Sequence, residues 1–535
     1  MNPDLLRTAL VGTARAGALA PLDPTHPAEA LLAGWPAGDP ESVLLLRAGV
    51  QAVFAAAGHL PADGVPPLPE APAETARRPA ERLGALLQTA LTLDAWGLFG
   101  GLLDELAARH LHLPHELLPD VLELSDSRLR EQLRPVLGER GRWLARLNPQ
   151  WSWVEAAAPL DADHSNLERL HQLFQEGELP QRCQALAAWR RVAPAAAREA
   201  VATTLPRENA ETRGRLVSEL ATGLSIDDEA FLESCLDDRS AVVKRIAAQL
   251  LSRLPTSALA ARLRARGQGM LTAGKKGLVF KALTLACAPP ESIDKSWERD
   301  GIPQKPTGGR GQRAAWTEAV FELIPPSHWE SLLGAPPEAL IEALQDDPFG
   351  PSVVVGWTRA CCRFASDDPP SARWAPALWN YWSTALDQTK EQERGPVVEP
   401  LQALLAVLEP AERETSVLEL LWQRQGAGDV SLLELLGALP ARWSVPGARR
   451  FLDLTRSVIR KSPDNFVFHW CSRLPLAARA MPPELFAACL DPWDLTADTS
   501  RTTWVVSSLE RELDKFQEVI RLRQSFHEAV SASVC

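Results

Sequence analysis

LSIDDEAFLESCLDDRSAVVKRIAAQLLSRLP, residues 224–255, holds two helix starts and one unbroken apolar stripe. Ser225 is followed three positions on by Asp228, the spacing at which two side chains satisfy each other's free backbone N–H groups in a first helical turn. A first helix is predicted from there to about Leu236. Asp238 or Ser240 caps a second. On it Val243, Ile246, Ala247, Leu250, Leu251 and Leu254 fall at i, i+3, i+4, i+7, i+8 and i+11, one face of a 3.6-residue helix. Two helices and a tight turn cannot bury both faces against each other, so the unit needs neighbours.

Outward from this unit the apolar period stays helical. Residues 41–57 carry Val43, Leu44, Leu46, Val50, Val53 and Phe54 at helical spacing, and 503–530 carry Val506, Leu509, Leu513, Phe516 and Ile520 at 3-4-3-4 spacing, a seam expected to cap the preceding helices. Leu-Pro pairs at 113/114, 118/119, 179/180, 205/206, 254/255, 439/440 and 474/475 read as helix stops, because the residue before proline is pushed out of the α region. No stretch reads as an alternating strand, and the expected class is all-α. Six prolines (61, 66, 67, 69, 72 and 79) predict a linker or an extended wrap. The expected layout is an N-terminal helical segment at 1–60, a Pro-rich linker at 61–79, helical repeats at 80–290, a loop at 291–313 and an irregular, Trp-rich helical domain at 314–535.

The 224–255 unit resembles a HEAT-type repeat. Asp238 stands in the turn, and Val243, Lys244 and Ala247 hold the V[KR]xxA positions of the second helix. SRLREQLRPVLG at 127–138 is a fainter echo, with Leu129, Arg130 and Leu133 in the same places. The resemblance covers 80–290 and implies a HEAT-like solenoid, since each repeat of about 40–47 residues hides its face only against the next. LLRTALVGTAR at 5–15, GRWLARLNPQWSW at 141–153 and DDEAFLESCLDDRS at 227–240 resemble an uncharacterised bacterial family. Genes of that family tend to lie beside those of a MoxR-type AAA ATPase and a von Willebrand A domain protein. This resemblance implies a cytoplasmic helical-repeat component of such a system and carries over no catalytic residue.

The 535 residues, with 46% hydrophobic and 23% charged residues, exclude disordered, collagenous and disulfide-scaffold classes. The eight cysteines contain no CxxC pair, so free and mostly buried thiols are expected. No uncharged apolar run approaches the roughly 18 residues of a spanning helix, and the first residues offer no clean signal core. A cytoplasmic location with no membrane association is the expectation.

The net charge of −12 hides an asymmetry. Residues 239–290 contain no Asp or Glu but carry Arg239, Lys244, Arg245, Arg253, Arg262, Arg264, Arg266, Lys275, Lys276 and Lys281, so the rest of the chain sums to −22. These ten residues are the candidate binding surface. They fit a protein partner (a AAA ATPase or von Willebrand A domain protein), a nucleic acid bound by a HEAT-like repair-type protein, or solvated charges at helix C-termini and loops.

Other motifs point to less. Gly267, Gly269, Gly274 and Gly277 surround Lys275 and Lys276, but GxxxxGK[ST] is missing, so the glycines are expected to break helices rather than cradle phosphate. His110, His112 and His115 lack the HExxH pattern and are expected at a solvent-facing helix end. Most of the 18 Trp are expected as core filling, with Trp151 and Trp153 the candidates for exposed aromatics. No catalytic residue, cofactor or metal is predicted. The expected function is a non-catalytic protein-interaction scaffold or adaptor.

Overall fold

The computed structural model describes residues 3–16, 19, 21–22, 25–35, 38–57, 69–79, 81–92, 97–154, 166–276, 282–305, 311–389, 394–493, 495 and 501–534. The chain divides into two compact units, Met1–Ala71 and Pro72–Cys535.

The first unit is built on the helix Pro40–Ala57, where the apolar period predicts one. Its inward face is partly polar. Glu29 is buried and receives Arg47 Nη2 at 2.9 Å and Gln51 Nε2 at 2.8 Å, so the buried carboxylate is paired and hydrogen-bonded. Leu10, Leu31, Trp35, Leu45 and Val53 remain exposed in this unit. Of the proline-rich stretch, 61–68 lie outside the described residues. Within the second unit, Arg77 forms a parallel bridge with Leu111, which ties the end of the stretch to the segment after the helix Leu98–Ala108.

The second unit is predominantly helical, as the periodicity requires. Helices pair with sequence neighbours: Leu167–Glu176 with Leu179–Val192, Glu229–Cys235 with Ala241–Ser252, and Ala375–Gln388 with Gly395–Leu405. Several Leu-Pro pairs start helices instead of ending them. Pro119, Pro180 and Pro475 stand in the first turns of Leu118–Leu122, Leu179–Val192 and Leu474–Ala480. A first-turn N–H has no intrahelical partner, so proline forfeits nothing there and its fixed φ suits the helix.

The all-α expectation is corrected at one place. Leu271–Lys276 (β1) and Ala282–Cys287 (β2) form an antiparallel hairpin, with Leu271 opposite Cys287 and Lys276 opposite Ala282. Leu285 and Cys287 face the core while Ala286 is exposed. Leu285 N donates to Ala343 O and Cys287 N to Asp347 Oδ2, both at 2.9 Å, which docks the strand on the chain beyond Pro337–Glu342. Gly267 and Gly269 do not break the preceding helix, Ala258–Met270, which contains both, and Gly274 lies within β1.

The segment 291–313 also differs from a plain loop. It carries the helix Lys295–Arg299, and Asp300 and Ile302 are buried after it. Tryptophan fills the core beyond it: Trp329, Trp357 and Trp374 are fully buried, with Phe321 stacked on Trp329 at 4.9 Å and Trp357 edge-on to Trp374 at 5.0 Å. The terminal helix Thr503–Val534 buries Leu509, Leu513, Phe516 and Ile520 against Asp464–Cys471, Leu474–Ala480 and Phe486–Leu490, and also meets Glu81–Thr92. The two ends of this unit therefore touch. Among the described residues no helix is long and apolar enough to cross a membrane.

Candidate functional site

The 224–255 unit folds as its sequence predicts, and its acidic residues do structural work. Ser225 and Asp228 form the capping box at the turn Ile226–Asp228, with Ser225 N donating to Asp228 Oδ2 at 3.0 Å. Asp228 is fully buried and also receives Arg190 Nη2 at 2.7 Å, Arg190 Nη1 at 3.0 Å and Arg198 Nη1 at 2.9 Å. Burial alone raises a carboxyl pKa. Here the hydrogen bonds from Arg190, Ser225 and Arg198 outweigh it and hold Asp228 below the usual carboxylate range. Asp238 takes a two-pronged bond from Arg213 and accepts Ser240 N at the start of Ala241–Ser252, whose Val243, Ala247, Leu250 and Leu251 are buried.

The described cations of 239–290 are held in different ways. Arg262 bonds Asp300 and Glu233, Arg266 pairs with Asp300 at 2.7 Å and lies over Trp297, and Arg253 pairs with Asp367 at 2.5 Å. These three are held by carboxylates from outside the acid-free run, and the bonds from Asp300 and Glu233 raise the pKa of Arg262. Arg264 donates to Pro255 O and Lys275 is exposed on β1. Lys281 and the Lys276 side chain lie outside the described residues.

Arg239, Lys244 and Arg245 are different. Arg239 and Arg245 are exposed and Lys244 is half-buried, and among the described residues none has a carboxylate at ion-pair distance. The acids nearest in sequence are already engaged, Asp237 by Arg299 and Asp238 by Arg213. Arg239 lies in the loop before the helix Ala241–Ser252 and Lys244 and Arg245 in its first half, so none of the three is a helix C-terminal charge.

Trp153, His112 and His115 are placed otherwise than expected. Trp153 is buried and donates to Leu122 O at 3.2 Å, and Trp151 is half-buried and donates to Glu123 Oε1 at 3.0 Å, because the turn Pro149–Val154 folds back onto the helix Gly138–Leu147. His110 is exposed just past the end of the helix Leu98–Ala108, as expected, whereas His112 is buried and His115 is half-buried and bonds Glu74 at 3.1 Å. The partner Glu74 comes from the proline-rich stretch, where periodicity carries no signal.

A cavity of about 720 Å³ lies between Gly350–Phe364, Ala375–Gln388 and Gly395–Leu405, lined by Thr358, Cys362, Trp382 and Pro400 with Arg359, Arg363 and Glu322 at its side. Trp382 Nε1 donates to Thr358, and Glu322 pairs with Arg363. Burial pushes the Cys362 thiol up to about 11, which keeps it protonated and a poor nucleophile at neutral pH.

Residues 4–530 match the model of a family described as a family of unknown function, DUF5691. The chain belongs to DUF5691. No curated protein and no solved structure matches it. What this DUF5691 chain does therefore has to be read from its own geometry.

Proposed function

We propose that this DUF5691 chain is a non-catalytic, HEAT-like helical scaffold that docks an acidic protein surface through Arg239, Lys244 and Arg245. The observation that carries the reading is that these three cations are solvent-accessible, lie close together in sequence around the start of Ala241–Ser252, and have no carboxylate at ion-pair distance among the described residues. Charge left without an ion pair at the surface is the kind that complements an opposite charge on a partner. The exposed Leu10, Leu31, Trp35, Leu45 and Val53 of the first unit support an interaction role as well. The resemblance of 5–15, 141–153 and 227–240 narrows the partner class to a MoxR-type AAA ATPase or a von Willebrand A domain protein of a bacterial cytoplasmic system.

Nucleic-acid binding is the less favoured reading, because Arg253, Arg262 and Arg266 are engaged internally and Trp153 is buried. The test is affinity capture at native expression level, followed by a DNA and RNA mobility shift at low salt. The expected result is a co-purifying protein with an acidic surface and no shift. A steeply salt-dependent shift with no stoichiometric protein partner overturns the proposal.

A further inference from the structure

His112 and His115 lie three residues apart and Glu74 comes from the proline-rich stretch upstream, and each offers a ligand atom that lies within 4.8 Å of the other two. His112 is almost wholly buried. Its Nδ1 donates to the Leu113 carbonyl at 2.7 Å, so in the neutral ring the lone pair is on Nε2, and no described residue hydrogen-bonds to it. A backbone carbonyl that fixes the tautomer in this way is the usual support behind a metal-bound imidazole. The two imidazoles stack at 5.0 Å, and His115 Nε2 stands 3.1 Å from Glu74 Oε1, close to the roughly 3.3 Å separating two ligands of a tetrahedral zinc at ordinary bond lengths.

The carboxylate is held for the purpose. Glu74 accepts the backbone N–H of Glu139 at 2.7 Å and of Arg140 at 3.0 Å, and Gly138, at φ +67°, leaves room where a Cβ would come within 2.5 Å of its Oε2. A cation already sits at the cluster: Arg140 Nη1 is 3.2 Å from His115 Nδ1, on an exposed side chain free to swing away.

We infer that Glu74, His112 and His115 form a binding site for a divalent transition metal of the zinc type, which fastens the Pro-rich stretch to the start of the helix Gly138–Leu147. Two imidazoles and a carboxylate suit zinc and its first-row neighbours better than magnesium or calcium, which prefer oxygen-only shells. Arg140 opposes the metal: by donating to His115 Nδ1 it keeps the ring proton on Nε2, the nitrogen beside Glu74 that the metal would take, and it adds a positive charge next to the site.

The test is titration of untagged full-length protein with Co²⁺, read by its visible absorption, and with Zn²⁺, read by calorimetry. The wild type is expected to bind one ion per chain at this site. E74Q and H115A, checked for fold by circular dichroism, are each expected to weaken binding at least about tenfold. R140Q is expected to tighten it, an outcome that a purely structural hydrogen-bond cluster does not produce. Metal binding that is absent, or unchanged in an E74Q/H115A double variant that remains folded, overturns the inference.

Discussion

Asp228 is a residue whose sequence reading was half complete. Its capping role follows from the three-residue spacing to Ser225, but Arg190, which makes it a buried ion pair, lies 38 positions upstream and no local pattern links the two. Arg190 is itself buried and also donates to the carbonyls of Pro194, Thr222 and Gly223, so losing the carboxylate strands a buried guanidinium. Asp228→Asn is expected to destabilise the protein by about 3–5 kcal/mol at pH 7, measured by chemical denaturation. The folded pKa of Asp228 is depressed, so its contribution is complete above the unfolded value of about 3.9 and is lost as pH falls through the folded one. The gap between wild type and D228N should therefore close in strong acid. A gap below about 1 kcal/mol at pH 7 contradicts this account of the pair. Glu74 repeats the lesson: its histidine partners were visible in sequence as an isolated HLHLPH run, and the carboxylate that completes them was not.

At the scale of elements, helices were legible and their punctuation was less so. Proline marks a boundary without saying which side of it the helix lies on, and Pro180 and Pro475 proved to begin theirs. The hairpin was missed because Leu283, Leu285 and Cys287 alternate over only one short strand, within a stretch whose glycines and lysines drew the eye to phosphate. The glycines of the preceding helix give a sharp test. A Cβ on Gly267 would stand 2.6 Å from Ile324 Cδ1 and about 3 Å from the buried Trp329 ring, whereas Gly269 has nothing within 4 Å. Gly267→Ala is expected to lower stability by roughly 1–3 kcal/mol through overpacking. Gly269→Ala should raise it by up to about 1 kcal/mol through helix propensity. Equal effects in thermal or urea unfolding would show that the helix Ala258–Met270 does not pack on Ile324 and Trp329 as described.

For the whole molecule, the terminal seam at 503–530 was legible as a cap, but its contact with Glu81–Thr92 spans more than 400 positions and no periodicity encodes it. The charge asymmetry was legible too. Its division was not: Glu233, Asp300 and Asp367 reach in from outside the acid-free run and claim Arg253, Arg262 and Arg266, whereas Arg239, Lys244 and Arg245, like Arg264 and Lys275, have no carboxylate at ion-pair distance among the described residues. The most direct measurement is affinity capture with an R239E/K244E/R245E variant beside the wild type, both checked for the same thermal unfolding midpoint. The account predicts an unchanged fold, because among the described residues these side chains hold no ion pair, and loss of the captured acidic partner. Capture of the same partner in equal amount by the reversed variant would contradict it.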